Sequence, residues 1–150
     1  NVGVAAASNA GMRQARGKYI VRGDADDYVN EFFAFYLSEF LNYNHDCFCV
    51  ACDYYEVDAN SNKINRKYAK KDPISCGIMY RSDFLSSVGY YDESFRHREE
   101  EELRKRLDKN YRIKFVEIPL YRYYKHGSNK TNQKEYLEYK NILNNKFSKI

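Results

Sequence analysis

The spacing of apolar and polar positions changes several times along this chain, and each change marks a new element. Residues 1–17 are dense in alanine, with Val4, Ala7 and Ala15 able to form one apolar face and Gly17 placed to stop a helix as its C′ residue. A β-branched and aromatic run over 18–23 then reads as a buried strand, and it ends abruptly in Asp24-Ala25-Asp26-Asp27. Asn30 can cap a helix over about 31–43, on which Phe32, Phe35, Tyr36, Glu39, Phe40 and Tyr43 mark a bulky face. Asp46 to Val57 reads as a strand, 59–62 as a turn, and 63–69 as a returning edge strand. A short strand over 75–80 precedes a brief helix that Ser82 caps and that runs to Val88, and 89–95 is a loop. A helix over 98–109 follows, then a strand over 112–117 and, after Pro119, another over 120–125. In the tail, Tyr136, Tyr139, Leu143, Phe147 and Ile150 recur at helical spacing, with Lys134, Lys140, Lys146 and Lys149 largely off that seam. Such alternation argues for an α/β sheet with helices on its faces over 1–131, followed by an amphipathic helical tail over 132–150.

Composition narrows this picture. A chain of 150 residues, 43% of them hydrophobic, can bury one domain's core. No apolar run approaches the roughly 20 residues of a membrane span. The net charge of +4 conceals a split: residues 104–150 carry a balance of +9, and 1–103 a balance of −5. An acidic body with a basic tail suits a metal site in one part and a phosphate-rich partner or membrane surface near the other, although a merely solubilising tail fits as well. Cys47, Cys49, Cys52 and Cys76 suggest zinc only at first sight. Cys47 and Cys49 share one strand face while Cys52 points to the other, and His45 is the only nearby imidazole, so buried, reduced thiols of a cytosolic protein are expected.

The acidic turn is the main candidate for chemistry. Carboxylates cannot follow a strand into a core, so Asp24, Asp26 and Asp27 belong at its mouth, where α/β sheets bind ligands. If the chain stays extended there, Asp24 and Asp26 point to one side and Asp27 to the other. Two hard oxygen donors on one side suit Mg²⁺ or Mn²⁺ that is also held by a phosphate. An EF-hand fails, because Val29 falls where its turn glycine is needed and Phe35 where its bidentate Glu should be. The plainer alternative is a solvated acidic turn before the next helix.

A second acidic element, Glu99-Glu100-Glu101-Glu102, opens the helix carrying Leu103 and Leu107. Acids there complement the helix dipole, and Glu100–Arg104, Glu101–Lys105 and Glu102–Arg106 are favourable pairs four residues apart. Glu100 shares the Leu103–Leu107 face, which puts it at the rim of the core as a candidate general base, and Glu101 and Glu102 lie off that face.

These residues resemble the family 2 glycosyltransferases, which have the GT-A fold, a Rossmann-like mixed sheet. The resemblance rests on Asn1-x-Gly3-Val4-Ala5-Ala6-Ala7-Ser8-Asn9-x-Gly11, Ala15-x-Gly17-x-Tyr19-Ile20 and the DxD motif Asp24-Ala25-Asp26-Asp27. It continues in Gly77, Met79, Val88-Gly89-x-x-Asp92-Glu93-x-Phe95 and Glu99-Glu100-x-x-Leu103-x-x-Arg106-Leu107. It implies transfer of a sugar from a nucleotide-sugar donor to the hydroxyl of a glycan or lipid-linked acceptor, with inversion, in polysaccharide or glycoconjugate synthesis. A divalent metal, Mn²⁺ or Mg²⁺, would sit at Asp24 and Asp26. Asn9, Asp24, Asp26, Asp27 and His126 would contact the donor, and Glu100 falls on the catalytic acid position. Ser8 stands where the family usually has Arg, Gly23 where it has a hydrophobic residue, and Glu100 where it has Asp. The family's opening strands have no counterpart, so the chain looks like an N-terminally truncated fragment that is itself inactive and whose open sheet edge favours homo-oligomers. Peripheral membrane association is expected of the tail.

Two other classes compete. A non-catalytic descendant that binds a sugar nucleotide or a partner protein would explain Ser8, Gly23 and Glu100. A sugar-phosphate nucleotidyltransferase would need a glycine-rich phosphate loop that is not seen. The Tyr/Arg/Lys run 121–125 reads as an alternating strand rather than a nucleic-acid surface. Asn129-Lys130-Thr131 is a glycosylation sequon by pattern only.

Overall fold

The computed structural model describes residues 2–107, 113–127, 129 and 134–148. Its elements are α1 (Val4–Gln14), β1 (Tyr19–Val21), β2 (Tyr28–Val29), α2 (Phe33–Tyr43), β3 (Cys49–Val57), β4 (Lys63–Lys67), β5 (Ile78–Arg81), α3 (Ser82–Val88), α4 (Glu99–Leu107), β6 (Ile113–Tyr124) and α5 (Lys134–Phe147). One mixed sheet runs in the order β1-β5-β3-β6-β2, with β4 paired to the outer half of β3. Only β3 and β6 are parallel, and the other pairings are antiparallel.

The alternation of side chains in β3 sets up two cores. Cys49 and Ala51 face Ala5, Met12, Phe84, Leu85, Leu103 and Leu107 of α1, α3 and α4. Val50, Cys52 and Tyr54 face Phe33, Leu37 and Leu41 of α2. Cys47, ahead of the strand, joins Cys52 and Cys76 on the α2 side, away from Cys49. That corrects the expected pairing of Cys47 with Cys49. All four cysteines are free and buried.

Helix α1 stops at Gln14, three residues before Gly17, because Ala15 turns to an extended conformation. Its buried residues are Ala5, Asn9 and Met12, whereas Ala7 and Ala15 are exposed. Helix α2 is rotated from the expected face in the same way. Its inward stripe is Phe33, Leu37 and Leu41, and Phe32, Phe35, Tyr36 and Tyr43 point to solvent at 50%, 58%, 44% and 83% exposure. Phe33, Leu37 and Leu41, spaced by four, fill the groove over the sheet with Phe40 packed partly against them, and the other rings are left outside. Arg81 closes the far end of α2 by donating to the carbonyls of Leu41, Asn44 and Cys47. Ser82 begins α3 rather than capping it, and its hydroxyl donates to the Lys18 carbonyl. Gly89, with φ of 87°, ends α3 in the left-handed conformation that glycine adopts at least cost.

The segment expected as two strands around Pro119 is a single strand, β6. Its register against β3 slips at Asp53, which pairs with Pro119 after Cys52 has paired with Val116. A proline lacks an N–H to give to the ladder, so it sits where the ladder is already broken. Beyond that bulge β6 reaches β2, a two-residue strand that brings the acidic turn against Tyr121 and Arg122. On the other side of the sheet, β1 pairs with β5 alone among the described residues.

Helix α5 seats Leu143 fully buried, with Tyr136, Tyr139 and Phe147 half-buried beside it, as its spacing predicts. Tyr139 meets Phe95 and His97, and the Arg98 guanidinium lies 3.8 Å from the centre of the Tyr136 ring. Lys146 departs from expectation, since it reaches inward to Asp92 and Glu102, both at 2.7 Å. Lys149 and Ile150 lie outside the described residues.

Candidate functional site

The acidic segment leaves β1 and turns. The Asp27 N–H donates to the Asp24 carbonyl at 3.2 Å, so the chain is not extended there and the three carboxylates diverge. Asp27 is drawn to β6, where its carboxylate accepts from the Tyr124 N–H at 2.8 Å and from the Tyr121 hydroxyl at 2.9 Å. Burial raises its pKa against those two hydrogen bonds, and the charges of Asp26 and Asp24 add to the rise. Asp26 turns the other way, and its Oδ2 lies 3.0 Å from His126 Nε2. Asp24 faces Arg22, with Oδ1 3.2 Å from Nε.

Two cavities open at this point. The larger, about 610 Å³, is lined by Asp24 and Glu100 together with Tyr54, Asp72, Tyr123 and Tyr136 among others. The smaller, about 350 Å³, is lined by Val4, Asp24, Asp26, His126 and Asn129 among others. Arg22, Asp24, Glu99 and Tyr123 belong to both. Volumes of this size suit a small ligand. The fold therefore brings together Asp24, Asp26 and His126 in one cavity, and Asp24 and Glu100 in the other.

Asn9 and Asp27 line neither cavity. Asn9 is 1% exposed and its amide is spent on the loop after α3: Nδ2 donates to the Tyr91 carbonyl and to Glu93, and Oδ1 accepts from the Tyr91 N–H. It fastens α1 to the 91–93 segment. Asp27 likewise braces the turn against β6. The sequon residue Asn129 is also occupied, since it accepts from the His126 N–H and donates to the Tyr124 carbonyl.

Helix α4 presents its carboxylates in three directions. Glu100 Oε1 accepts from Arg104 Nε at 2.5 Å, and only 9% of the Glu100 side chain is exposed. Burial raises its pKa, opposed by the Arg104 charge and hydrogen bond. Glu101 pairs with Arg98 and, more loosely, with Lys105. Glu102 is wholly buried between Arg106 and Lys146, which corrects the expectation that it lies off the packed face. The i,i+4 pairs expected on this helix are all formed, and the packing of α5 accounts for the extra burial. Arg98, just ahead of α4, holds a positive φ of 61° that a non-glycine residue rarely adopts, and its Nε donates to the Tyr136 carbonyl.

The acidic turn offers carboxylate oxygens, the donors that a hard divalent cation takes. The carboxylates of Asp24 and Asp26 line one cavity and are 37% and 49% exposed, the first paired with Arg22 and the second with His126. Donor atoms of Asp24, Asp27 and Cys76 also lie within 4.8 Å of one another. Burial pushes the Cys76 thiol up to about 12, so it is a thiol at neutral pH and a poor ligand for Mg²⁺ or Mn²⁺.

Sequence reasoning passed over Arg22, Glu99, Tyr121, Tyr123 and Tyr136. For Arg22 the signal was present, since it lies two residues before Asp24 and therefore on the same side of an extended chain. The tyrosines become site residues only through pairing of β6 with β2 and docking of α5, which are long-range events.

The shape is shared with solved structures. S. aureus TarS 1–349 in complex with UDP-GlcNAc matches with a TM-score of 0.72 at 17% identity, over 94% of this chain and 46% of that one. The same protein in complex with UDP matches with a TM-score of 0.65 at 18% identity, over 84% and 41%. The chain thus spans less than half the length of the structures it matches, and it shares the GT-A fold with them. No curated protein matches the sequence. The family model for glycosyl transferase family 2 matches residues 1–139, and the chain belongs to that family.

Proposed function

We propose that this chain carries the catalytic part of an inverting glycosyltransferase that moves a sugar from a nucleotide-sugar donor to the hydroxyl of a glycan or lipid-linked acceptor. One observation carries the reading: a single cavity holds the Asp24 end of the acidic turn and the buried, proton-seeking carboxylate of Glu100. The donor diphosphate occupies the acidic-turn end, in the cavity lined by Asp24, Asp26 and His126. Asp24 and Asp26 would hold a Mn²⁺ or Mg²⁺, which would supply positive charge to stabilise the departing diphosphate.

Glu100 takes the proton from the acceptor hydroxyl as its oxygen attacks the anomeric carbon. The bond from that carbon to the diphosphate breaks, the electron pair leaves with the diphosphate, and a single displacement inverts the configuration. Arg104 holds Glu100 Oε1, which leaves Oε2 to receive the proton. Tyr136 and Tyr123, with Asp72, offer the acceptor ring faces and a hydrogen-bond acceptor in the remainder of the cavity.

Two substitutions in the full-length enzyme separate the roles. Asp26→Asn weakens donor binding and the response to Mn²⁺, read by calorimetry. Glu100→Gln leaves donor affinity nearly intact while turnover falls by about 10²–10⁴-fold, the usual cost of losing a general base. Glu101→Gln, which removes one charge from the same turn, costs far less. Equal losses from Glu100→Gln and Glu101→Gln would mean that the helix needs charge and not a base.

A further inference from the structure

Arg22 stands where the two cavities meet, and no step above uses it. Its side chain is 16% exposed, and it lies between Glu99, paired at 2.9 Å through Nη1, and Asp24. A guanidinium has five N–H donors. Here Nη2 reaches Asp24 Oδ2 only at 3.4 Å and Cys76 Sγ at 3.8 Å, and the buried Nε, ion-paired with Asp24 Oδ1 at 3.2 Å, lies outside hydrogen-bond geometry. A buried, charged fork with unspent donors, facing a cavity, is built for a planar or tetrahedral oxyanion.

Position 8 supplies an independent observation. Val4 lines the smaller cavity together with Arg22, and Ser8 lies one helical turn beyond Val4 on the same face of α1. The family resemblance places an arginine at position 8. In this chain that position is serine, which lines neither cavity, and a guanidinium enters the smaller cavity from the residue after β1.

We propose that Arg22 is the donor-site cation of this chain, neutralising Asp24 in the absence of ligand and binding the diphosphate of the donor when it arrives. This rests on the placement of the diphosphate at the acidic turn. The cation holds Asp24 in place before the metal ion arrives, so it competes with the ion for that carboxylate. It cooperates with the ion once two phosphates are present, because the anion then satisfies both. Its effects on the two ligands therefore have opposite signs. A residue that merely tied β1 to α4 through Glu99 would not behave so.

The test uses Mn²⁺ alone and then inorganic pyrophosphate at saturating Mn²⁺, with wild type, Arg22→Gln, Arg22→Lys, Asp24→Asn and the double variant Ser8→Arg/Arg22→Gln. Mn²⁺ binding is followed by electron paramagnetic resonance and pyrophosphate by calorimetry, with thermal melts as a check on folding. Arg22→Gln is expected to bind Mn²⁺ about tenfold more tightly and pyrophosphate about 10–100-fold more weakly, the range for a lost charge-assisted hydrogen bond. Arg22→Lys falls between, and Ser8→Arg restores most of the pyrophosphate affinity. Constants that stay unchanged, or that move in the same direction, overturn the proposal. Tighter Mn²⁺ binding with unchanged pyrophosphate affinity also overturns it, since Arg22 would then be a blocker only. Where Arg22→Gln melts early, Arg22→Lys and the double variant decide the matter. Asp24→Asn leaving Mn²⁺ binding untouched would instead remove the metal assignment, and with it the reading on which this inference rests.

Discussion

Burying Glu100 makes its proton harder to remove, and that cost appears in stability as well as in chemistry. A carboxyl whose folded pKa lies above its ordinary value binds more protons in the native state than in the unfolded one. Stability is then greatest below the ordinary carboxylate range and falls as pH rises through the raised value. Glutamine copies the neutral acid, so Glu100→Gln is expected to gain on wild type as pH rises: thermal melts should show similar midpoints near pH 4 and a midpoint a few degrees higher for the variant near pH 8. A constant difference across pH would place Glu100 in an ordinary solvated ion pair. The face of Glu100 was legible from its distance to Leu103 and Leu107, but the burial of Glu102 was not. A helical wheel records one helix, and Glu102 is covered by Lys146, which lies 44 residues later in the chain. Asn9 shows the same limit: its motif position was readable, while its amide's commitment to Tyr91 and Glu93 depends on where a distant loop lands.

Helices α2 and α5 show how differently elements can be read. For α5 the apolar spacing named the seam correctly over the described residues, with Leu143 fully buried and Tyr136, Tyr139 and Phe147 half-buried around it. For α2 the bulky face read from the sequence is mostly the outward one, and the inward stripe is Phe33, Leu37 and Leu41. Leu37→Ala is therefore expected to cost about 2–5 kcal/mol, whereas Phe35→Ser changes stability by less than about 0.5 kcal/mol, as chemical denaturation would show. Docking of α5 depends on Lys146 as well as on its seam. Partial burial pushes the Asp92 carboxyl up, but hydrogen bonds from Lys146 and Ser94 outweigh this and hold it at about 2. The contribution of that pair is complete above the ordinary aspartate value and is lost as pH falls through about 2. Lys146→Met is expected to cost about 1–3 kcal/mol by leaving Glu102 with Arg106 alone, and hydrogen exchange should locate the loss in residues 134–147. Adding Glu102→Gln should recover part of it, since removing both halves of a buried pair costs less than removing one.

Across the whole molecule, strand and helix content was readable from periodicity, while strand order was not. Nothing local says that β5 lies between β1 and β3, or that β6 runs unbroken past Pro119 to hold the acidic turn. Those are outcomes of closing two cores at once, and the site sits where the sheet's ends are drawn together. The placement of the cysteines makes those two cores separately observable. Cys49 lies in the core under α1, α3 and α4, and Cys47, Cys52 and Cys76 lie in the core under α2. Burial pushes Cys52 and Cys76 up to about 12 and raises the other two as well, so none reacts readily while the fold is closed. An alkylating reagent added to the native protein thus becomes a clock with two hands. Peptide mass spectrometry after timed labelling should show Cys47, Cys52 and Cys76 modified together and Cys49 at its own rate, so that the order of labelling tells which side of the sheet opens first.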